Sequence, residues 1–421
     1  MGVSMTSEHR RVVITGLGAL TPLGNTVESF WTNAVAGQSG IRPFSELDTS
    51  AYPCKVVGEV QDFEPTDYMD RRTARRMARF SQFAVATARQ AESSGGLDLE
   101  SIDRERAGVI LGNGGGGYPN VEGAMRTLVD RGGMKLDPLY VAKWLPNMAA
   151  ANVTIQLGLQ GYTNTVVTAC ASGTQAIGEA VEVIRRDAAD VMLAGGTEAG
   201  ICELGLAGFA AMRALTTSYN GEPERASRPF DRNRDGFAPA EGAGMVLLES
   251  LEHATARGAK PLAEVLGYGV SADATYLVAP SDAGTGAAHA MRIALQNADV
   301  APEEIDYVSA HATATEVGDV AETKALKTVL GKHAYATPVT SLKSQIGHLL
   351  GGSGGVEMVA AVQTMLTGEI APTINLEHPA DECDLDYVAL ESRTADVRTV
   401  LKNSFGFGGQ NAVLVLRRFE D

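Results

Sequence analysis

Eight short stretches of the chain are apolar at nearly every position: 11-RVVITGL-17, 107-AGVILG-112, 190-DVMLAGG-196, 243-AGMVLLES-250, 262-LAEVLGYGV-270, 305-IDYVSAH-311, 338-PVTSL-342 and 412-AVLVLRR-418. Runs of this length with little polar alternation predict strands buried on both faces, as in sheets covered by helices. Between them the apolar period lengthens to that of a helix. Ile177, Ala180, Val181 and Ile184 fall at i, i+3, i+4 and i+7. Alanine and glycine fill the other faces of that segment, which predicts a buried, closely packed helix.

The order of these signals repeats. The stretch 165-TVVTACASG-173 runs from a strand through a cysteine into a Gly-bearing helix. Later, 338-PVTSLKSQIGHLLGGSGGVEMVAAV-362 follows the same course with Lys343 in the corresponding turn. Each half then closes on a Gly-rich turn feeding a strand, 241-EGAGMVLLE-249 and 408-GGQNAVLVL-416. The pattern predicts a duplicated α/β unit, residues 1–258 and 259–421, dividing at the helix end 253-HATARGAKP-261.

Composition narrows the class. The 421 residues are 44% hydrophobic and 20% charged, which is globular material with room for two such units. The chain contains no apolar run of membrane-spanning length, and its N-terminus does not read as a secretory signal. Gly2 to Thr6 fit a myristoylation pattern, one short enough to arise by chance. Four separated cysteines, Cys54, Cys170, Cys202 and Cys383, argue against a zinc site or disulfide framework and fit a reducing cytoplasm. A net charge of −16 argues against nucleic acid as a partner.

Against that background Cys170 stands out. It lies where a strand hands over to a helix, and unpaired N–H groups at a helix start favour a thiolate. Of seven histidines, five (His9, His253, His289, His333 and His378) have surface or loop settings. His311 ends a predicted strand and His348 sits in a Gly-flanked turn just after Lys343, both at strand-to-helix transitions. A cysteine, two histidines and a lysine in such turns suggest nucleophilic catalysis.

These residues lie in ordered motifs: 12-VVITGLGALTPLGN-25, 168-TACASG-173, 224-ERASRPFDRNRDGF-237, 310-AHATATEVGD-319, 343-KSQIGHLLGGSGGVE-357, 372-PTINLE-377 and 403-NSFGFGGQN-411. Nearly end to end, the chain resembles the elongating β-ketoacyl-acyl-carrier-protein synthases of the thiolase-like superfamily. The resemblance implies a duplicated thiolase-like α/β fold in five layers, α-β-α-β-α, with the site between the halves. It implies that Cys170 takes an acyl group from a carrier protein's phosphopantetheine arm, with no resident cofactor. His311 and His348 would stabilise the enolate left by decarboxylation of a malonyl thioester. Lys343 would organise the site and Glu357 would be its ion-pair partner. The N–H groups of Cys170 and Phe407 would form an oxyanion hole, and Phe407 would gate the acyl pocket. Substrate binding falls to Thr313, Thr315, Gly115 and Phe209. The basic segment 71-RRTARRMAR-79, with Arg71, Arg72, Arg75 and Arg76, would dock the acidic carrier. A homodimer, or a heterodimer with a related chain-length factor, is implied, and no metal ligand set is expected.

Several positions depart from the family pattern. Ala312 stands for a glycine, and Ser309 for an asparagine near a monovalent-cation site that some members carry, leaving that cation open. Tyr276 and Val278 replace a usual His and Thr, and Gln410 a usual Thr or His. Gly115 replaces a bulky residue of the acyl pocket, which predicts a wider pocket for longer chains. That width keeps a second reading open, the ketosynthase subunit of a type II polyketide system paired with a chain-length factor. A thiolase needs a second cysteine that 403-NSFGFGGQN-411 lacks. Starter-type enzymes carry an asparagine at His348, and a non-catalytic scaffold would have lost Cys170.

Overall fold

In the computed structural model, which describes residues 10–420, ten strands form one mixed sheet. In chain order these are β1 (Val12–Leu20), β2 (Ala107–Gly112), β3 (Thr163–Val166), β4 (Val191–Glu198), β5 (Gly242–Ser250), β6 (Ala263–Ala272), β7 (Tyr307–Ser309), β8 (Val339–Thr340), β9 (Thr399–Gly406) and β10 (Gln410–Arg418). Their spatial order is β8-β7-β9-β10-β6-β1-β5-β4-β2-β3. Counted outward from the middle, β1-β5-β4-β2-β3 and β6-β10-β9-β7-β8 are the same sequence of first, fifth, fourth, second and third strands. The parallel and antiparallel pairings repeat as well. Among the described residues the two five-stranded sets pair only where Val13 and Ile14 meet Glu264 and Ala263, so the expected pair of stacked sheets is joined at one corner.

Seven helices matter for the site: α1 (Arg79–Ser94), α2 (Tyr118–Arg131), α3 (Ser172–Arg185), α4 (Glu203–Ala211), α5 (Thr285–Ala298), α6 (Glu316–Leu330) and α7 (Ser353–Thr367). α3 and α7 lie between the two strand sets and touch both, α1 covers one outer face, and α5 with α6 covers the other. The result is the five-layer α-β-α-β-α stack. Side-chain alternation explains it. In β5, Val246 and Leu248 join the central core while Met245 and Leu247 join the core under α1. In β10, Leu414 and Leu416 face the centre while Val413 and Val415 face α5. Both faces are apolar, hence the unbroken runs in the sequence. Truncating Met245, Leu247, Leu248, Leu414 or Leu416 to alanine is expected to cost about 2–5 kcal/mol.

The central helices meet almost backbone to backbone. A Cβ on Gly354 of α7 would lie 2.3 Å from the N of Thr174 in α3, so glycine is required at that crossing. This contact brings the starts of α3 and α7 together, and both lead in from the loops that carry the candidate chemistry.

Differences from the sequence expectations are local. The strand read as 305–311 ends at Ser309, leaving His311 in the following loop. β9 was not anticipated, because Lys402, Asn403 and Ser404 interrupt its apolar pattern. The basic segment 71–79 is not one continuous helix, since a four-residue helix, Arg71–Ala74, ends in a turn before α1. The Gly2–Thr6 pattern and His9 lie outside the described residues.

Candidate active site

Cys170 sits in a 3-10 turn, Ala169–Ala171, that runs directly into α3. Ala169 before it has φ of 51°, a left-handed conformation that side chains with a Cβ rarely adopt and that here presents the sulfur to the cavity. β9 closes on the same turn. A Cβ on Gly406 would lie 2.5 Å from the Thr168 carbonyl oxygen, so only glycine lets the strand come this close. The backbone N–H groups of Phe407 and Cys170 favour negative charge on the sulfur.

His348 Nε2 is 3.0 Å from Cys170 Sγ. Its Nδ1 is 3.0 Å from Ser353 Oγ, at the first residue of α7, a partner the sequence reading missed. The His348 N–H donates to the Ala238 carbonyl at 2.8 Å, and the ring packs edge-on against Phe237. His311 lies 5.6 Å from His348, ring centre to ring centre, and 5.7 Å from Phe405. The peptide of His311 is clamped from two sides. Glu322 accepts the N–H groups of His311 and Ala312 at 2.9 and 2.7 Å, and Lys343 Nζ donates to the His311 carbonyl at 2.6 Å. Lys343 is also ion-paired with Glu357, both being 1% exposed.

Burial sets the protonation states. It pushes the Cys170 thiol up to about 12, against the opposing pull of Lys343 and the two N–H groups. The thiolate expected from the helix start is therefore not the resting form, because desolvation of the charge outweighs the helix end. Burial also holds His311 and His348 well below the ordinary histidine value, and the charge of Lys343 lowers both further. A neutral His348 can accept the thiol proton at Nε2 while its Nδ1–H donates to Ser353. His311 Nδ1 is buried and has no hydrogen-bond partner among the described residues.

These groups open into a cavity of about 930 Å³ that also includes Thr313, Thr315, Gly115, Phe209, Phe405 and Phe407. Thr313 and Thr315 are within hydrogen-bonding distance of each other, 3.2 Å between hydroxyl oxygens. Phe209 of α4 packs edge-on against Phe237. The space beside Gly115 is taken, since a Cβ there would lie 3.0 Å from Tyr118 Cζ of α2. The wider pocket expected from the missing side chain is thus filled by a tyrosine ring three residues on. Glu198, fully buried and not anticipated, accepts N–H groups from Gly114, Gly115 and Gly351, tying the pocket loop to the loop after His348.

Arg71, Arg72, Arg75 and Arg76 lie outside the cavity, exposed and without ion pairs among the described residues. Arg79 instead pairs with Glu241 at 2.7 Å and stacks on Phe83. No described helix is long and apolar enough to cross a membrane.

Residues 9–254 match the N-terminal domain of beta-ketoacyl synthase, and residues 262–377 match its C-terminal domain. The 3-oxoacyl-[acyl-carrier-protein] synthase 2 of Synechocystis sp. is 45% identical over 413 residues, 98% of this chain and 99% of the relative. Its counterpart from Staphylococcus aureus strain COL is 44% identical over 98% of this chain and 100% of the relative. Among solved structures, the ishigamide ketosynthase/chain length factor superposes with a TM-score of 0.92 at 35% identity, covering 98% of this chain and 100% of that one.

Proposed function

The chain belongs to the β-ketoacyl synthase family, a 3-oxoacyl-[acyl-carrier-protein] synthase of fatty-acid elongation, and on that premise we propose how its own residues perform the condensation. The observation that carries the assignment is the 3.0 Å contact between His348 Nε2 and Cys170 Sγ, beside His311 in one enclosed cavity.

In the first half-reaction His348 takes the Cys170 proton as the sulfur attacks the acyl thioester carbonyl. The N–H groups of Cys170 and Phe407 hold the oxyanion. The carbon–sulfur bond to the carrier's phosphopantetheine then breaks, and its thiol leaves with the proton from His348. In the second half-reaction a malonyl thioester loses carbon dioxide, and His311 and His348 donate to the enolate oxygen. The enolate carbon attacks the acyl-Cys170 carbonyl and the bond to sulfur breaks, giving the 3-oxoacyl thioester and a Cys170 thiolate, which takes up a proton from solvent to restore the thiol. His348 Nε2 thus takes a proton from Cys170 and returns it to the leaving thiol in the first half-reaction, and donates a hydrogen bond in the second. Ser353 Oγ serves both forms, because a hydroxyl either donates or accepts.

Lys343 and Glu357 hold the His311 peptide. Thr313 and Thr315 receive the phosphopantetheine arm, and Gly115, Phe209 and Phe407 border the acyl chain. The reaction needs no resident cofactor. Arg71, Arg72, Arg75 and Arg76 give the acidic carrier a basic landing site on a chain of net charge −16. We place the enzyme in the cytoplasm and read it as two copies of one α/β unit, dividing near Gly258. Strand β3 ends the sheet, its outer edge unpaired among the described residues; Ile155, in the segment before it, is 69% exposed, and Val129 and Met134 are 78% and 98% exposed. Such an edge and apolar surface suit a homodimer.

A ketosynthase subunit paired with a chain-length factor is the second reading. It is supported by likeness at 35% identity, against 45% for the fatty-acid enzyme. Purified protein incubated with acyl and malonyl carrier thioesters tests the assignment. Formation of the 3-oxoacyl carrier without any added subunit supports it, and activity only with a cysteine-lacking paralogue favours the second reading.

A further inference from the structure

Two lysines, not one, converge on Glu357. Lys402 projects from β9, is 0% exposed, and has Ser309 of β7 as its register partner. Its ammonium lies 2.7 Å from Glu357 Oε2, and it donates to the Asn403 carbonyl at 2.5 Å and to Ser404 Oγ at 2.8 Å. Glu357 Oε2 accepts no hydrogen bond among the described residues, so Lys402 meets it as an ion pair alone. The opposite carboxylate oxygen pairs with Lys343, which holds the His311 carbonyl. Glu322, on the other side of the His311 peptide, accepts from Asn403 Nδ2 at 3.0 Å. Two ammonium groups and two carboxylates therefore form one buried cluster behind His311, and removing either cation leaves an uncompensated charge.

A carboxylate, a carbonyl and a hydroxyl are the oxygen donors that a hard cation seeks. Around Ser309, where some members of the family hold a monovalent cation, those donors face Lys402 Nζ at 2.5 to 2.8 Å. An added ion would sit against the ammonium, so the residues present do not fit a bound metal cation. We propose that Lys402 is a tethered cation that replaces a diffusible one, fixing Glu357 and, through Lys343, the peptide of His311. It is a positioning residue, and it touches neither substrate nor reacting atoms. The proposal rests on the condensing function only for its kinetic readout.

The test begins with the wild-type protein in sodium, potassium, ammonium and choline chloride at matched ionic strength. Turnover and melting temperature are expected to be the same in all four. Lys402→Ala is expected to lower kcat by roughly 10- to 100-fold in choline. Potassium or ammonium should then restore kcat saturably and raise the melting temperature of that variant, as a ligand of the native state must. Lys402→Met, which fills the space with an apolar chain, should be equally slow and respond to neither ion. A wild type that needs sodium or potassium overturns the proposal, and so does a Lys402→Ala protein fully active in choline or unaffected in melting by any cation. Should Lys402→Ala fail to fold, the wild-type salt comparison still decides. A wild type inactive in every salt contradicts the condensing function instead, while its melting comparison continues to test Lys402.

Discussion

Cys170 Sγ and His348 Nε2, 178 residues apart in the chain, lie 3.0 Å from each other in the cavity between the two strand sets. The contact depends on the crossing of α3 and α7 at glycine, and it pairs a neutral thiol with a neutral imidazole rather than a thiolate with an imidazolium. Burial lowers the basicity of the histidine and raises the pKa of the thiol, so both oppose charge separation until substrate arrives.

Alkylation of Cys170 in the substrate-free enzyme should therefore accelerate with pH well past 9, without a plateau near neutrality. Burial raises the thiol to about 12, so the thiolate fraction grows roughly tenfold per pH unit below that value. Iodoacetamide labelling of Cys170, followed by peptide mass, reads this directly. A plateau at pH 6–7 would show a pre-formed ion pair.

Glu198 makes stability depend on pH. Burial raises its carboxyl from 4.5 to about 7 although three backbone N–H groups pull it down. The native state then holds a proton that the unfolded chain has released between those values. The associated stability is full below about pH 4.5 and is lost as pH rises through about 7, at most roughly 3 kcal/mol. Glu198→Gln removes that slope. Denaturant titrations of both proteins at pH 5 and pH 8 should show wild type losing ground to the variant at the higher pH, and a constant difference would refute the assignment.

Tyr118, rather than a side chain at 115, fills the space that we propose for the acyl chain. Tyr118→Ala should raise kcat/KM for the longest acyl carriers relative to the shortest by about tenfold, in line with the energy of filling or emptying a pocket. Gly115→Ile must displace the Tyr118 ring and should slow all chain lengths. Product profiles by mass spectrometry compare the two variants.

Reversal of Arg75 and Arg76 to glutamate should raise KM for the carrier about tenfold, and more steeply at low salt. Turnover of a small pantetheine thioester should be unchanged. Reversal of Arg79 should instead lower the melting temperature, because its partner Glu241 is 5% exposed.

The strands were legible wherever both faces are apolar, as in β2, β5 and β10. β9 escaped because polar side chains are buried on both of its faces: Lys402 and Ser404 meet Glu357 and Thr174 on one, and Asn403 donates to Glu322 on the other. Cys170 and the two histidines could be picked out by their place at strand-to-helix turns. Ser353, Glu198 and Lys402 could not, because each acts through a partner more than three residues away whose proximity only the fold creates. The basic segment was legible as charge but not as shape, since nothing in its spacing signals the break at 75–78.

The most direct test of the central claim is the intact mass of the protein after incubation with acyl-carrier proteins of graded chain length, beside Cys170→Ala. Wild type should gain one acyl mass, released by a thiol, and the variant should gain none. An equal gain in both proteins, or none in the wild type with any donor, would contradict Cys170 as the nucleophile.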